Sequence, residues 1–235
     1  MPLKSWVLSA VALVGALAGA GTVYALDQAQ PGGIVGPQVR AYLLAHPEVI
    51  TEAMQALQDR ESSKLIAAHR DAIVRPYAGG WAGNARGDVT VVEYFDYNCG
   101  FCRASLPALQ QMLARNPGVR LVYRELPILS DESRTAARVS LAAAATGPAQ
   151  YRRFHAALYA AGPVSAATIK AAAKDAGVDP ARVPGDADAE IARNLQLASL
   201  LNLNGTPSWV IGDRVLAGAQ PVEVLEDAIR AARRR

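Results

Sequence analysis

The only two cysteines of this 235-residue chain stand one helical turn apart, as Cys99-Gly100-Phe101-Cys102. Where such a pair opens a helix, the spacing lets the sulfurs meet in a tight disulfide ring, and the helix N-terminus stabilises a thiolate. That arrangement suits redox exchange. Cys99, nearer the loop, is expected to be the exposed nucleophile that forms mixed disulfides, and Cys102, one turn into the helix, the shielded thiol that resolves them. Two other readings compete for the same residues. A purely structural disulfide closing so short a loop would gain little from the unfolded state. A zinc site would need two further ligands, and without a second CxxC only His46, His69 and His155 could supply them. Neither a resident metal nor a dissociable cofactor is expected.

The strand formers Val89-Thr90-Val91-Val92-Glu93-Tyr94-Phe95 lead into the cysteines. Alternation along a strand puts Val89, Val91, Glu93 and Phe95 on one face, so a carboxylate interrupts an apolar row. A buried Glu93 would have a raised pKa and could exchange protons with Cys102; the alternative is a glutamate on an edge strand, turned to solvent. After Cys102 a helix runs to about Ala114, Asn116-Pro117-Gly118 stops it, and a second strand follows over 120–126. This is a βαβ unit, and a domain begins near Gly87. The Ala-rich stretch from about Ser133 to Leu201 predicts several short helices broken at Gly and Pro pairs. Strands at 208–211 and 214–217 around Gly212-Asp213, then a last helix from about Pro221, complete an α/β pattern.

Lys4, the apolar run from Trp6 to Ala20 and the small residue at Ala25 read as a secretory signal over residues 1–25. An uncleaved membrane anchor is the other reading, and both export the body of the chain to an oxidising compartment. Helical patterns after Gly36-Pro37 and again after Pro47, with Val39, Leu43, Ile50, Met54 and Leu57 at helical spacing, make residues 26–78 an amphipathic arm. It is either a helix pair packed on its own domain or a homo-oligomerisation stalk over residues 37–66. With 51% hydrophobic and 19% charged residues the body is globular, and two cysteines exclude a disulfide-scaffold fold. The net charge of +3 includes the terminal run Arg233-Arg234-Arg235, so no nucleic-acid footprint is expected.

The run from Val92 to Cys102, together with Gly205-Thr206-Pro207-Ser208, resembles the DsbA-like branch of the thioredoxin superfamily from about Gly87 onward. Residues Val39 to Ile50 are similar to the N-terminal segment of the suppressor-of-copper-sensitivity C and Com1-like exported proteins, some of which oligomerise through it. The resemblance implies a thioredoxin-like fold over residues 79–235 with a helical insertion at about 131–200, preceded by the arm. It makes Glu93 the buried acid and Pro207 a cis-proline facing the cysteines, with Thr206 offering its backbone to a client chain. His155 also recurs in the family, and we read it as helix packing. The implied partners are unfolded or misfolded exported proteins and a membrane redox partner that resets the dithiol. Between the cysteines this chain departs from the strong oxidant of the family, which has Pro-His where Gly100-Phe101 stands. Phe101 offers the thiolate no cation or donor, so a less oxidising couple is expected. Binding of Cu(I) by the same two thiolates is the alternative function.

Overall fold

The computed structural model describes residues 35–234; the expected signal over 1–25 lies outside them. The chain divides into two compact units, with the boundary between Leu57 and Gln58.

The first unit holds α1 (Gly36–Ala45) and the start of α2 (Glu48–Ala68). Pro37 begins α1, where a missing N–H does no harm, and no residue of α1 is buried. Val39, Tyr42, Leu44, Ile50, Met54 and Leu57 are about half exposed or more.

The second unit is a five-stranded sheet covered on both faces. Its strands are β1 (Trp81–Gly83), β2 (Val89–Phe95), β3 (Val119–Glu125), β4 (Ser208–Ile211) and β5 (Arg214–Ala217), in the order β1-β3-β2-β4-β5. β2 and β3 are parallel, joined through α4 (Gly100–Arg115), and the other pairs are antiparallel. Between β3 and β4 the chain inserts α5 (Asp131–Thr146), α6 (Pro148–Ala160), α7 (Ala166–Ala176) and α8 (Ala187–Leu200); α9 (Val222–Arg233) follows β5. This is the expected thioredoxin-like α/β fold with a helical insertion, preceded by N-terminal helices.

β2 is central, so its odd and even residues both find apolar partners. Val89, Val91 and Phe95 share a core with Leu109 and Met112 of α4 and Leu225 and Ile229 of α9. On the opposite face Val92 and Tyr94 pack with Val122, Leu126, Leu197 and Val210, and with Ile66 and Ile73. Ile73 belongs to a short α3 (Arg70–Val74), held to the sheet by the buried Arg124. That guanidinium donates to the carbonyls of Ala72, Ile73 and Arg75 and pairs with Glu190 at 2.8 Å.

The residues expected to form one arm over 26–78 are therefore divided. Ser62 and Ile66, inside the stalk expected over 37–66, are buried in the chain's own second unit and are not available to a second copy. β1 falls within a stretch expected to be only a Gly- and Ala-rich spacer, since three residues are too short for alternation to register.

Candidate functional site

β2 delivers the site through the turn that ends it. The carboxylate of Asp96 accepts from the backbone N–H of Asn98 at 2.8 Å and from those of Ile128 and Leu129 at 2.9 and 3.0 Å. One side chain thereby fixes the β2–α4 turn to the β3–α5 loop. Asn98 adds a bond to Ser130 and accepts from the N–H of Val164, tying the turn to the helical insertion. The Asp96 carbonyl accepts from the N–H of Cys99 at 3.0 Å and from the hydroxyl of Tyr159 at 3.1 Å. Asp96, Asn98 and Tyr159 had no role in the sequence argument; an Asp two residues ahead of an Asn at a strand end was the available signal.

Cys99 is the N-cap of α4. Its backbone is extended, and its Sγ accepts from the N–H of Cys102 at 3.4 Å. Sulfur thus takes the place that a Ser or Asp oxygen usually fills at a helix start, where unpaired N–H groups favour negative charge. Both cysteines are free thiols. Cys102 is wholly buried, and burial, then the charge of Glu93, pushes its thiol well above the usual range. Cys99 differs from the exposed nucleophile expected, being only 6% exposed. The reason is the loop opposite: the thiol of Cys99 donates to the carbonyl of Thr206 at 3.2 Å.

That loop precedes β4, and its Thr206–Pro207 peptide bond is cis. Its shape is set by bonds from the Ser208 hydroxyl to the Gly205 carbonyl and from the Gly218 N–H to the Pro207 carbonyl. Phe101 is 70% exposed beside the dithiol, and a Cβ placed on Gly100 would meet nothing within 4 Å.

Glu93 is not on an edge. It pairs in register with Tyr123 of β3 and Trp209 of β4, and is 2% exposed. Its Oε2 has no hydrogen-bond partner. Burial, with a smaller contribution from Cys99, raises its pKa to about 8. A carboxyl with that value can hold and release a proton near neutral pH, within electrostatic reach of both thiols.

His155 is packed among the rings of Phe95, Tyr97, Tyr123, Tyr151 and Tyr159. Its Nδ1 lies 3.2 Å from the Tyr97 hydroxyl, and burial lowers its pKa to about 3, which keeps the ring neutral. Tyr97 also meets Ser140, whose hydroxyl donates to Glu125 at 2.8 Å. This network braces the turn from behind.

Among the described residues no group of three or more His, Cys, Asp or Glu is placed to hold a metal ion. No helix among them is long and apolar enough to cross a membrane.

Residues 90–230 match the DSBA-like thioredoxin domain family. The chain belongs to that family. Residues 35–63 match the N-terminal domain of the copper resistance protein ScsC. Among solved structures, a linker-deletion mutant of ScsC from Proteus mirabilis is 26% identical, with a TM-score of 0.71 over 83% of this chain and 92% of that one. A thioredoxin-like oxidoreductase from Silicibacter pomeroyi DSS-3 is 39% identical, with a TM-score of 0.66 over 71% of this chain and 98% of that one. Among curated proteins, Na(+)/H(+) antiporter NhaA 3 of Salinispora tropica is 27% identical over 88% of this chain, which spans only 33% of the antiporter's length. The two family matches and the ScsC structure agree with the ScsC branch of the DsbA-like proteins implied by the resemblance.

Proposed function

We propose that this protein is an exported thiol–disulfide oxidoreductase that exchanges disulfides with unfolded or misfolded exported proteins. The observation that carries this reading is the sulfur of Cys99 at the open N-terminus of α4, facing the cis Thr206–Pro207 loop, with Cys102 and Glu93 buried behind it. Reading residues 1–25 as an export signal, 26–78 as the arm and 79–235 as the catalytic domain, the protein works in a periplasmic or otherwise exported setting.

The exchange balances as follows. The Cys99 thiolate attacks a client disulfide; a bond forms between the enzyme and one client sulfur, and the other client sulfur leaves as a thiolate. Cys102 then gives its proton to the Glu93 carboxylate and attacks the Cys99 sulfur. The enzyme disulfide forms, the mixed disulfide breaks, and the second client sulfur leaves. Two electrons have passed to the client, and a membrane redox partner supplies two more to reduce the Cys99–Cys102 disulfide to the dithiol. The reverse sequence oxidises a client dithiol. Once Cys99 is in the mixed disulfide its negative charge is gone, which removes the smaller of the two causes that raise Glu93. Glu93 is then more readily the carboxylate at the step where a base is needed. Gly100 and Phe101 tune the couple toward the less oxidising side, favouring isomerisation or reduction, and Thr206 and Pro207 hold the client.

The exposed apolar side chains of α1 and early α2 favour a homo-oligomer, with the contact confined to residues 37–57 because Ser62 and Ile66 are already buried. Such an arm would hold dithiols side by side, as an isomerase needs. Copper binding is the lesser reading: the residues that match the copper resistance domain, 35–63, contain neither cysteine.

The test is turnover of a scrambled disulfide protein by metal-free enzyme. Activity that disappears with Cys99→Ala supports the proposal, and full metal-free inactivity of the folded wild type refutes it.

A further inference from the structure

The resting thiol and the client compete for one backbone oxygen. Sulfur at Cys99 is held between a donor and an acceptor: the Cys102 N–H points at it from 3.4 Å, and its own S–H points at the Thr206 carbonyl 3.2 Å away. The first contact favours the thiolate and the second the thiol. An ionised sulfur has no proton to give, and at that distance it would face the negative end of the Thr206 carbonyl dipole unopposed. A client N–H arriving at the same oxygen would satisfy it and remove that repulsion.

We propose that the Thr206 carbonyl is a latch that couples client docking to activation of the nucleophile: the backbone N–H of an extended client displaces the Cys99 S–H from it, and the freed thiol loses its proton to solvent. This rests on the reading of Thr206 as the client-pairing residue. Occlusion of Cys99, which departs from what its place in the motif suggested, then has a use, because the sulfur stays covered against the Thr206 carbonyl until a chain lies against the loop. By linkage, if docking favours the thiolate, the thiolate must favour docking to the same degree. Peptide affinity therefore rises with pH, even for a peptide that contains no sulfur.

Other ionisable groups stand on the elements around Cys99: Glu93 on β2, Asp96 in the turn, Cys102 and Arg103 on α4, and Tyr159 on α6, while residues 205–208 carry none. All of these remain in Cys99→Ala, where Glu93 and Cys102 lose only the smaller, Cys99-dependent part of their shifts; thiolate absorbance, read on the wild type alone, does not depend on that difference. The probe is a capped, cysteine-free peptide of about a dozen residues without titratable side chains, bound to fully reduced full-length protein. Affinity of the wild type is expected to rise about 3- to 10-fold from about pH 5.5 to about pH 8.5, the worth of one hydrogen bond. Cys99→Ala, with no S–H on the latch, is expected to stay near the wild type's high-pH value throughout. A second readout needs no variant: saturating peptide should move the rise in thiolate ultraviolet absorbance to lower pH by the same factor.

A carbonyl oxygen has two acceptor lobes. If client and thiol share it, wild type and Cys99→Ala give parallel curves and the absorbance does not move, which overturns the latch. Insulin reduction measured on the same wild-type sample separates the two proposals. Turnover with parallel curves removes the latch alone. No turnover, and no peptide binding at any pH, removes the proposed function and the latch with it.

Discussion

Helix α1 and strand β2 are both rich in apolar residues, yet the chain treats them in opposite ways. Six of the seven positions of β2 are buried, on both faces of the sheet, while α1 has none buried. Apolar surface is worth about 25 cal/mol per Å² when removed from water, so Val39, Tyr42 and Leu44, exposed on α1, are where burial would gain most. The contrast separates two tasks. The second unit completes its own core and uses the surplus stability to bury a carboxyl, two thiols and a histidine at a defined place. Under the proposed function, the exposed apolar side chains of the first unit are the surface offered to a second copy.

The sharpest way to break this comparison is to show that the site depends on the arm or the arm on the site. Cys99→Ala should lower scrambled-substrate turnover by about 10³-fold or more while leaving oligomer mass by light scattering unchanged. Loss of oligomer in that variant would mean that the two regions are one functional piece. Deleting residues 26–57 should do the converse, giving a monomer that still reduces a small-molecule disulfide at nearly the full rate.

A second perturbation tests how the sheet unit is held. Arg124→Ala leaves the buried Glu190 with only the largely exposed Arg193 as its cation and strips three carbonyls and the Asn194 side chain of a donor; the expected loss is about 2–4 kcal/mol in chemical unfolding. The arm's oligomeric state, measured above the unfolding threshold, should not respond.

Glu93→Gln should slow resolution of the mixed disulfide about 10²-fold near neutral pH, so that the enzyme–client adduct accumulates on a non-reducing gel. The same change should alter stability in the opposite sense. Because the folded-state pKa of about 8 lies above the ordinary 4.5, the folded protein binds the Glu93 proton more tightly than the unfolded chain does. Its contribution is fully present below about pH 4.5 and is lost as pH rises toward about 8. Glu93→Gln removes that loss, so the variant should be more stable than wild type by about 1–3 kcal/mol at pH 8, with the gap closing toward pH 4.5. A wild type whose stability is flat over that window would show that the carboxyl is ionised in place.

The smallest effect is expected at the rim. Phe101→His puts a donor near Cys99 on an already exposed side chain and should make the couple more oxidising, by tens of millivolts in glutathione equilibration. Leu44→Lys combined with Ile50→Lys should dissociate the arm with no change in that potential.

How far the sequence carries follows from the same contrast. The dithiol, the strand before it and the parity of Glu93 were legible because each is local: a spacing, a run, an alternation. The strands at 89–95, 208–211 and 214–217 emerged at their expected positions, and the strand expected over 120–126 fell one residue early, at 119–125. What was not legible arises from contacts between distant residues. Cys99 meets the carbonyl of Thr206 across 107 residues, and Asp96 reaches the N–H groups of Ile128 and Leu129 across 32 and 33. No local pattern announces which backbone atoms will face a sulfur, so the occlusion of Cys99 could be found only in three dimensions. Ile66 and Ile73 likewise look like any other residues of an amphipathic arm until the second face of the sheet is there to receive them.

The central claim is that Cys99, and not Cys102, is the sulfur that meets the client. Incubating Cys102→Ala with a scrambled protein and identifying the trapped adduct by mass spectrometry tests it directly. The account predicts a stable mixed disulfide on Cys99, with no adduct formed by Cys99→Ala. An adduct on Cys102 in the Cys99→Ala protein, or no adduct in either variant while both remain folded, would contradict it.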